Sequence, residues 1–312
     1  MMSYSGAQST QVPRARTVVC SPHFDDAVLN CWSVLDRDGS CAVVNVFTGA
    51  PSFTSWGDRR NGAPSSAAQM QQRALEDRAA LAVAGKTAIN LGMLEVQYRL
   101  RKNPFLHTGP LRLLSATLKG MPLLRSAVVR LPFVRPMLYA TPAPEAEQIA
   151  ETIVQAVPGA SIFCVPAGIG GHRDHLLVRQ AGAVLASRGL SVRLYADLPY
   201  AVIHGWPVWI SAPEGQRATD RASALWARHL QALRPQVGEP IEHARVVRLT
   251  PEERARKAEA VRRYTTQVAT IDAELARGGL DEESAYAHEV YWDLQPGARG
   301  TSQPSDQSRL SV

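Results

Sequence analysis

The chain has 312 residues, 45% apolar and 20% charged, with four cysteines and a formal net charge of +6. This is the composition of a folded globular protein rather than a disordered one. It contains no apolar run of the roughly 18 residues that a membrane-spanning helix needs. Residues 1–16 lack the apolar stretch of a secretory signal, so a cytoplasmic location is expected. The positive charge is local. Residues 97–144 hold no Asp or Glu but eight cations, Arg99, Arg101, Lys102, Arg112, Lys119, Arg125, Arg130 and Arg135, which leaves the remainder at −2. A chain that coats nucleic acid is therefore excluded as the first reading. Cys20, Cys31, Cys41 and Cys164 lie in apolar surroundings without CxxC spacing and are expected to be buried free thiols.

Taken in chain order, Thr17–Cys20 is a β-branched strand, followed by a turn and a helix over 27–35. Residues 42–47 form a second strand, and 66–84 a long helix stopped by Gly85. The basic stretch 97–144, punctuated by prolines 104, 110, 122, 132 and 136, breaks the rhythm and is expected to be an inserted lid. It is also a candidate surface for an anionic or acyl-bearing ligand or a peripheral membrane contact. A helix over 145–157 and strands at 161–165 and 191–195 follow, separated by a helix over 175–186 with Asp174 as N-cap and Gly189 past its end. Residues 251–278 read as one long charged helix. Strands alternating with helices predict an α/β fold with a mostly parallel sheet flanked by helices, in one domain over 17–293. Residues 1–16 and 294–312 are polar and expected to be disordered tails.

Ligands bind such sheets beyond the carboxyl ends of the strands, and two segments there carry chemistry. One is Ser-Pro-His-Phe-Asp-Asp at 21–26; the other is Gly-Gly-His-Arg-Asp-His at 170–175. Imidazole and carboxylate are the ligand types of a catalytic zinc site. Adjacent Asp25 and Asp26 cannot easily point the same way, so one can bind a metal beside His23 while the other faces a bound water. His172 and His175 are three apart at a helix start, and Asp174 could orient an imidazole from behind.

Together the two segments resemble the PIG-L/LmbE-like zinc-dependent N-deacetylases, whose motifs are (A/S)HPDD and HxDH. Arg-Ala-Leu-Glu-Asp-Arg at 73–78, Asp-Leu-Pro-Tyr-Ala at 197–201, Tyr-Thr-Thr-Gln-Val at 264–268 and Glu-Val-Tyr-Trp at 289–292 are similar to other stretches of that family. The resemblance implies a Rossmann-like sheet and a hydrolase removing an acetyl or acyl group from the nitrogen of an amino sugar or its conjugate. It implies His23, Asp26 and His175 as zinc ligands and Asp25 as general base to a zinc-bound water. His172 would face the oxyanion or protonate the leaving amine, Asp174 would hold the His172 ring, and Arg73 would lie near the sugar hydroxyls. The same ligand set accepts other divalent ions. Two departures stand out: Phe24 replaces the usual proline, and Gly170 and Gly171 occupy ground where some members carry a tyrosine.

Other readings fit less well. Gly168–Gly171 lacks the GxGxxG spacing of a dinucleotide site, and no GxSxG elbow marks a serine hydrolase. An amidase or deacylase acting on a thiol-, peptide- or lipid-linked conjugate stays open, as does a zinc-binding partner protein without hydrolytic activity.

Overall fold

The computed structural model describes residues 15–55, 58–59, 62–99, 143–203, 231 and 244–294. The expected tails lie outside the described residues except at Ala15, Arg16 and Leu294, and the expected lid is described only at its two ends. Arg16 and Leu294 are not tail: the Arg16 N–H donates to Ser40 O at 3.2 Å and the Leu294 N–H to Val192 O at 2.8 Å.

Seven strands form one sheet in the order β3-β2-β1-β4-β5-β7-β6. They are β1 (Thr17–Ser21), β2 (Cys41–Asn45), β3 (Ala88–Asn90), β4 (Ile162–Pro166), β5 (Ser191–Tyr195), β6 (Arg245–Arg248) and β7 (His288–Asp293). The first five run parallel, as their alternation with helices predicts. β7 pairs antiparallel to β5, and β6 antiparallel to β7. β1 and β2 are buried at every position, as continuous apolar strands covered on both faces must be. After β1 the chain winds outward to β2 and β3; it then returns to place β4 on the other side of β1. That reversal opens a crevice above β1 and β4, where both chemical segments lie.

Helices α1 (Asp26–Asn30), α2 (Trp32–Arg37), α3 (Ser66–Ala82) and α4 (Val96–Arg99) accompany the first half of the sheet. α5 (Ala146–Ala156), α6 (Arg173–Ser187) and α7 (Tyr200–Ile203) follow in the second half. α8 (Pro251–Val261), α9 (Val268–Arg277) and α10 (Glu282–Ala285) precede the last strand. α6 packs on β4 and β5 and against α5. A Cβ on Gly182 would meet Val165 Cγ2 at 2.7 Å, so this glycine sets how closely the helix approaches the sheet.

Two expected helices are each divided, and both breaks have a carboxylate behind them. The helix expected over 27–35 restarts at Trp32. The buried Glu289 side chain accepts the N–H groups of Trp32 and Ser33 at 2.6 and 2.9 Å, capping α2 from the opposite end of the sequence. Glu289 also pairs with the fully buried Lys257 at 3.0 Å. The helix expected over 251–278 stops at Val261 and resumes at Val268. In the intervening turn Glu76 accepts the hydroxyls of Thr265 and Thr266 at 2.5 and 2.7 Å and the Thr266 N–H at 3.1 Å. Thus 73–78 and 264–268, two stretches tied to the family only by resemblance, hold each other. All four cysteines are buried and free. Among the described residues, no helix is long and apolar enough to cross a membrane.

Candidate metal centre

The turn after β1 places three acidic and imidazole side chains through its local hydrogen bonds. Ser21 Oγ donates to His23 O at 2.5 Å and accepts the Ala27 N–H at 2.9 Å, serving a donor at the start of α1. Asp26 accepts the His23 N–H at 2.8 Å. Asp25 occupies the N-cap position of α1, yet its side chain makes no capping bond. Asp25 is half-buried, and other side chains bond the turn around it. Tyr264 Oη, 2.9 Å from Phe24 O, backs the same turn.

The turn after β4 rests on positive-φ glycines. Gly168, Gly170 and Gly171 have φ of +74°, +89° and +74°, values that β-carbon-bearing residues rarely adopt. At Gly170 a Cβ would also lie 2.7 Å from Tyr200 Cβ. Removing that side chain lets Tyr200 stack on His172, with ring centroids 6.0 Å apart and planes 15° apart. A tyrosine therefore does reach this ground, from the first residue of α7.

The three histidines meet here. The His23, His172 and His175 rings have centroids 5.0 to 5.2 Å apart, and their ligating nitrogens lie within 4.8 Å of one another. Each of two rings has one nitrogen held from outside. His23 Nε2 is 3.3 Å from Asp174 Oδ2, and His175 Nδ1 is 2.7 Å from Asp197 Oδ1. The opposite nitrogens, His23 Nδ1 and His175 Nε2, converge on Asp26 Oδ2 at 3.2 and 3.3 Å. Carboxylates behind imidazoles fix the tautomer and direct the free nitrogen inward. His175 Nε2, 3.3 Å from Asp26 Oδ2, makes no hydrogen bond with it. A buried nitrogen left so costs about 1–3 kcal/mol, and a cation between it, His23 Nδ1 and Asp26 would satisfy it. His172 Nδ1 is also buried without a hydrogen-bond partner among the described residues. The donor set thus fits a transition-metal ion.

Two expectations need correcting. Asp174 neither caps α6 nor holds His172: the N-cap residue is His172, and Asp174 sits in the first turn. Its carboxylate contacts His23, the Val96 N–H at 2.8 Å and the Arg99 guanidinium. Asp197, at the head of the 197–201 stretch, has a buried carboxylate that holds His175 and accepts the Ile169 N–H at 2.8 Å. Its place just after β5, at the carboxyl edge of the sheet, was the available signal. Arg73 is half-buried and bonds Glu95 at 3.2 Å. Its positive charge also acts on Asp25. Among the scattered histidines and aromatics, His107, His204, His229, His243, Trp206 and Trp209 lie outside the described residues.

The electrostatics separate the two adjacent aspartates. Burial and the neighbouring Asp26 charge push Asp25 up to about 6. Burial disfavours the Asp26 anion too, but His175 and His23 outweigh it and hold Asp26 well below the usual carboxylate range. Burial likewise opposes a charged His175, yet Asp26 and Asp197 raise it to about 9. Burial, with His23 and His175 beside it, lowers His172 to about 3. An imidazolium at His172 is therefore disfavoured before reaction; the ring is neutral, with an unused nitrogen.

No family model matches the chain. It is 29% identical over 194 residues to a 2'-N-acetylparomamine deacetylase of Niallia circulans, across 58% of this chain and 66% of the relative. It is 30% identical over 199 residues to the protein of the same name from Streptomyces fradiae, across 60% of this chain and 58% of the relative. Both of these similar proteins are named as N-acetyl deacetylases. The match spans just under two thirds of the first of these deacetylases and less of the second. In fold, 91% of the chain corresponds to 98% of the A40926 pseudoaglycone deacetylase Dbv21, with a TM-score of 0.56 and 24% identity. A zinc-inhibited form of the teicoplanin deacetylase Orf2 matches 90% of the chain with a TM-score of 0.55 and 22% identity. These deacetylase structures share the α/β architecture.

Proposed function

We propose that this protein is a metal-dependent N-deacetylase that hydrolyses the N-acetyl amide of an amino sugar within a larger small-molecule conjugate. One observation carries the reading. His23 Nδ1 and His175 Nε2 converge on Asp26 Oδ2, their outer nitrogens are held by Asp174 and Asp197, and Asp25 stands beside them with its pKa raised to about 6. The two relatives named for deacetylating N-acetylparomamine support the substrate class.

His23, Asp26 and His175 are the ligands we assign, with zinc as the expected ion. Asp26 is preferred to His172 as third ligand because it is anionic and lies within 3.3 Å of both inner nitrogens. A divalent ion held there supplies Lewis-acid polarisation of the amide carbonyl and lowers the pKa of a bound water towards ~7. Asp25 is the general base: at neutral pH it is ionised yet basic enough to take a proton from water. Neutral His172 offers a ring N–H to the developing oxyanion. Once Asp25 is protonated, that proton can pass to the departing nitrogen, so acetate and a free amine leave. Arg73, braced by Glu95, is the residue we assign to the sugar hydroxyls.

The experiment is zinc content per chain on protein prepared without chelator, followed by release of amine from N-acetylparomamine and from N-acetylglucosamine. One zinc per chain with amine release upholds the reading. No zinc retained after reconstitution, together with no amine released, refutes it.

A further inference from the structure

Asp174 is 0% exposed, and three groups contact it. Oδ2 accepts the Val96 N–H at 2.8 Å and lies 3.3 Å from His23 Nε2. Oδ1 accepts from the Arg99 guanidinium, whose side chain is 3% exposed. The Arg99 guanidinium carbon also stands 5.4 Å from the centroid of the Phe47 ring, and that ring is 6.3 Å from the His23 ring. A buried guanidinium is held here by one carboxylate and one aromatic face. The same carboxylate and the same aromatic ring border the imidazole that presents Nδ1 to Asp26.

We propose that Arg99 is a positioning residue for the metal centre. It fixes the Asp174 carboxylate so that Oδ2 takes the His23 Nε2–H and the ring keeps Nδ1 turned inward. This rests on the N-deacetylase reading of the site and adds a residue that neither motif contains. The geometry around Asp174 supports it. With Oδ1 on the guanidinium and Oδ2 on the Val96 N–H, the carboxylate has no freedom to rotate away from His23.

The test uses the full chain as wild type, Arg99→Met, Arg99→Lys, Asp174→Asn and the Arg99→Met/Asp174→Asn double variant. Zinc affinity is read by competition with a chromophoric chelator, and kcat and KM are read on N-acetylparomamine. Outer partners of metal ligands typically contribute about 10–100-fold. Arg99→Met is expected to weaken zinc binding roughly tenfold and to lower kcat by a similar factor, with KM within twofold of wild type. Arg99→Lys keeps the charge but not the planar fork and should lie between, at about threefold. The double variant should be no worse than Asp174→Asn alone, because both changes remove one support. Wild-type zinc affinity in Arg99→Met, or additive losses in the double variant, would overturn the proposal. Should Arg99→Met not fold, Arg99→Lys decides: wild-type zinc affinity and kcat overturn it, a loss in both at constant KM upholds it. A wild-type protein that retains no zinc fails differently, since it removes the centre itself.

Discussion

Asp77 and Tyr264, 187 residues apart in sequence, meet at the Tyr264 hydroxyl, which also faces a backbone carbonyl. Tyr264 Oη lies 2.8 Å from Asp77 Oδ1 and 2.9 Å from Phe24 O, and a hydroxyl can donate only once. Both contacts are satisfied if Asp77 is protonated and donates to Tyr264 while Tyr264 donates to Phe24. Asp77 Oδ2 then accepts from Asn45 Nδ2 at 2.8 Å. Burial raises Asp77 to about 7, consistent with that arrangement.

The pH dependence follows from the raised folded-state value. The stability contributed by protonated Asp77 is complete below its ordinary pKa of 3.8 and is lost as pH rises towards and through about 7. Asp77→Asn supplies a permanent donor and acceptor in the same places. Denaturant midpoints at pH 5 and pH 8 should fall less between the two values in Asp77→Asn than in wild type, and the variant should be the more stable at pH 8. Equal pH dependence in the two proteins would show that Asp77 does not carry the proton.

Metal content separates the ligands from their neighbour. Asp26→Asn and His175→Ala are expected to abolish stoichiometric zinc. His172→Ala should keep it, because the inner nitrogens of His23 and His175 face Asp26. Its kcat should fall on the order of 10²–10³-fold, the usual effect of losing one oxyanion donor. Zinc lost in His172→Ala but kept in Asp26→Asn would transfer the third-ligand role to the histidine.

Asp25→Asn should retain zinc and lose about 10²–10⁴-fold in kcat. Wild-type kcat/KM should rise with pH through an acidic limb at or below about 6, because Asp25 must be ionised to accept a proton and a bound cation lowers its pKa. Log kcat/KM against pH for the two proteins checks this; the limb should be absent from the variant.

The Lys257–Glu289 pair is remote from the chemistry and serves the fold. Lys257→Met strands the buried Glu289 carboxylate and should cost about 3–5 kcal/mol of stability. Chemical denaturation reads that loss, while zinc per folded chain should stay at the wild-type value.

The residues of the candidate centre were legible because their types are rare together and their turns are local. His23, Asp25 and Asp26 are neighbours in sequence, as are His172, Asp174 and His175. What supports them was not legible. Asp197 meets His175 across 22 residues and Arg99 meets Asp174 across 75, and no local pattern encodes such pairings. Asp174 shows the same limit from the other side. Its spacing suits a helix cap or a His172 brace, but the guanidinium and the Val96 N–H turn it toward His23. The parallel strands were readable from apolar runs. β6, with Arg at both ends and little burial, and β3, only three residues long, carry too weak a pattern. The break at 262–267 has no glycine or proline to announce it. It exists because Glu76 offers the Thr266 N–H a better partner than another helical turn.

The sheet's strand order has a consequence for how the centre comes into being. His23 and Asp26 follow β1, while His175 follows β4, more than a hundred residues later, and Asp197 follows β5. β4 docks on the edge of β1 opposite β2, so the excursion through β2 and β3 leaves that edge free for it. Neither half of the chain can hold the inner nitrogens alone, so the centre exists only where two distant segments meet. Any ion it captures acts as a clasp between the halves, adding to stability by mass action as its free concentration rises.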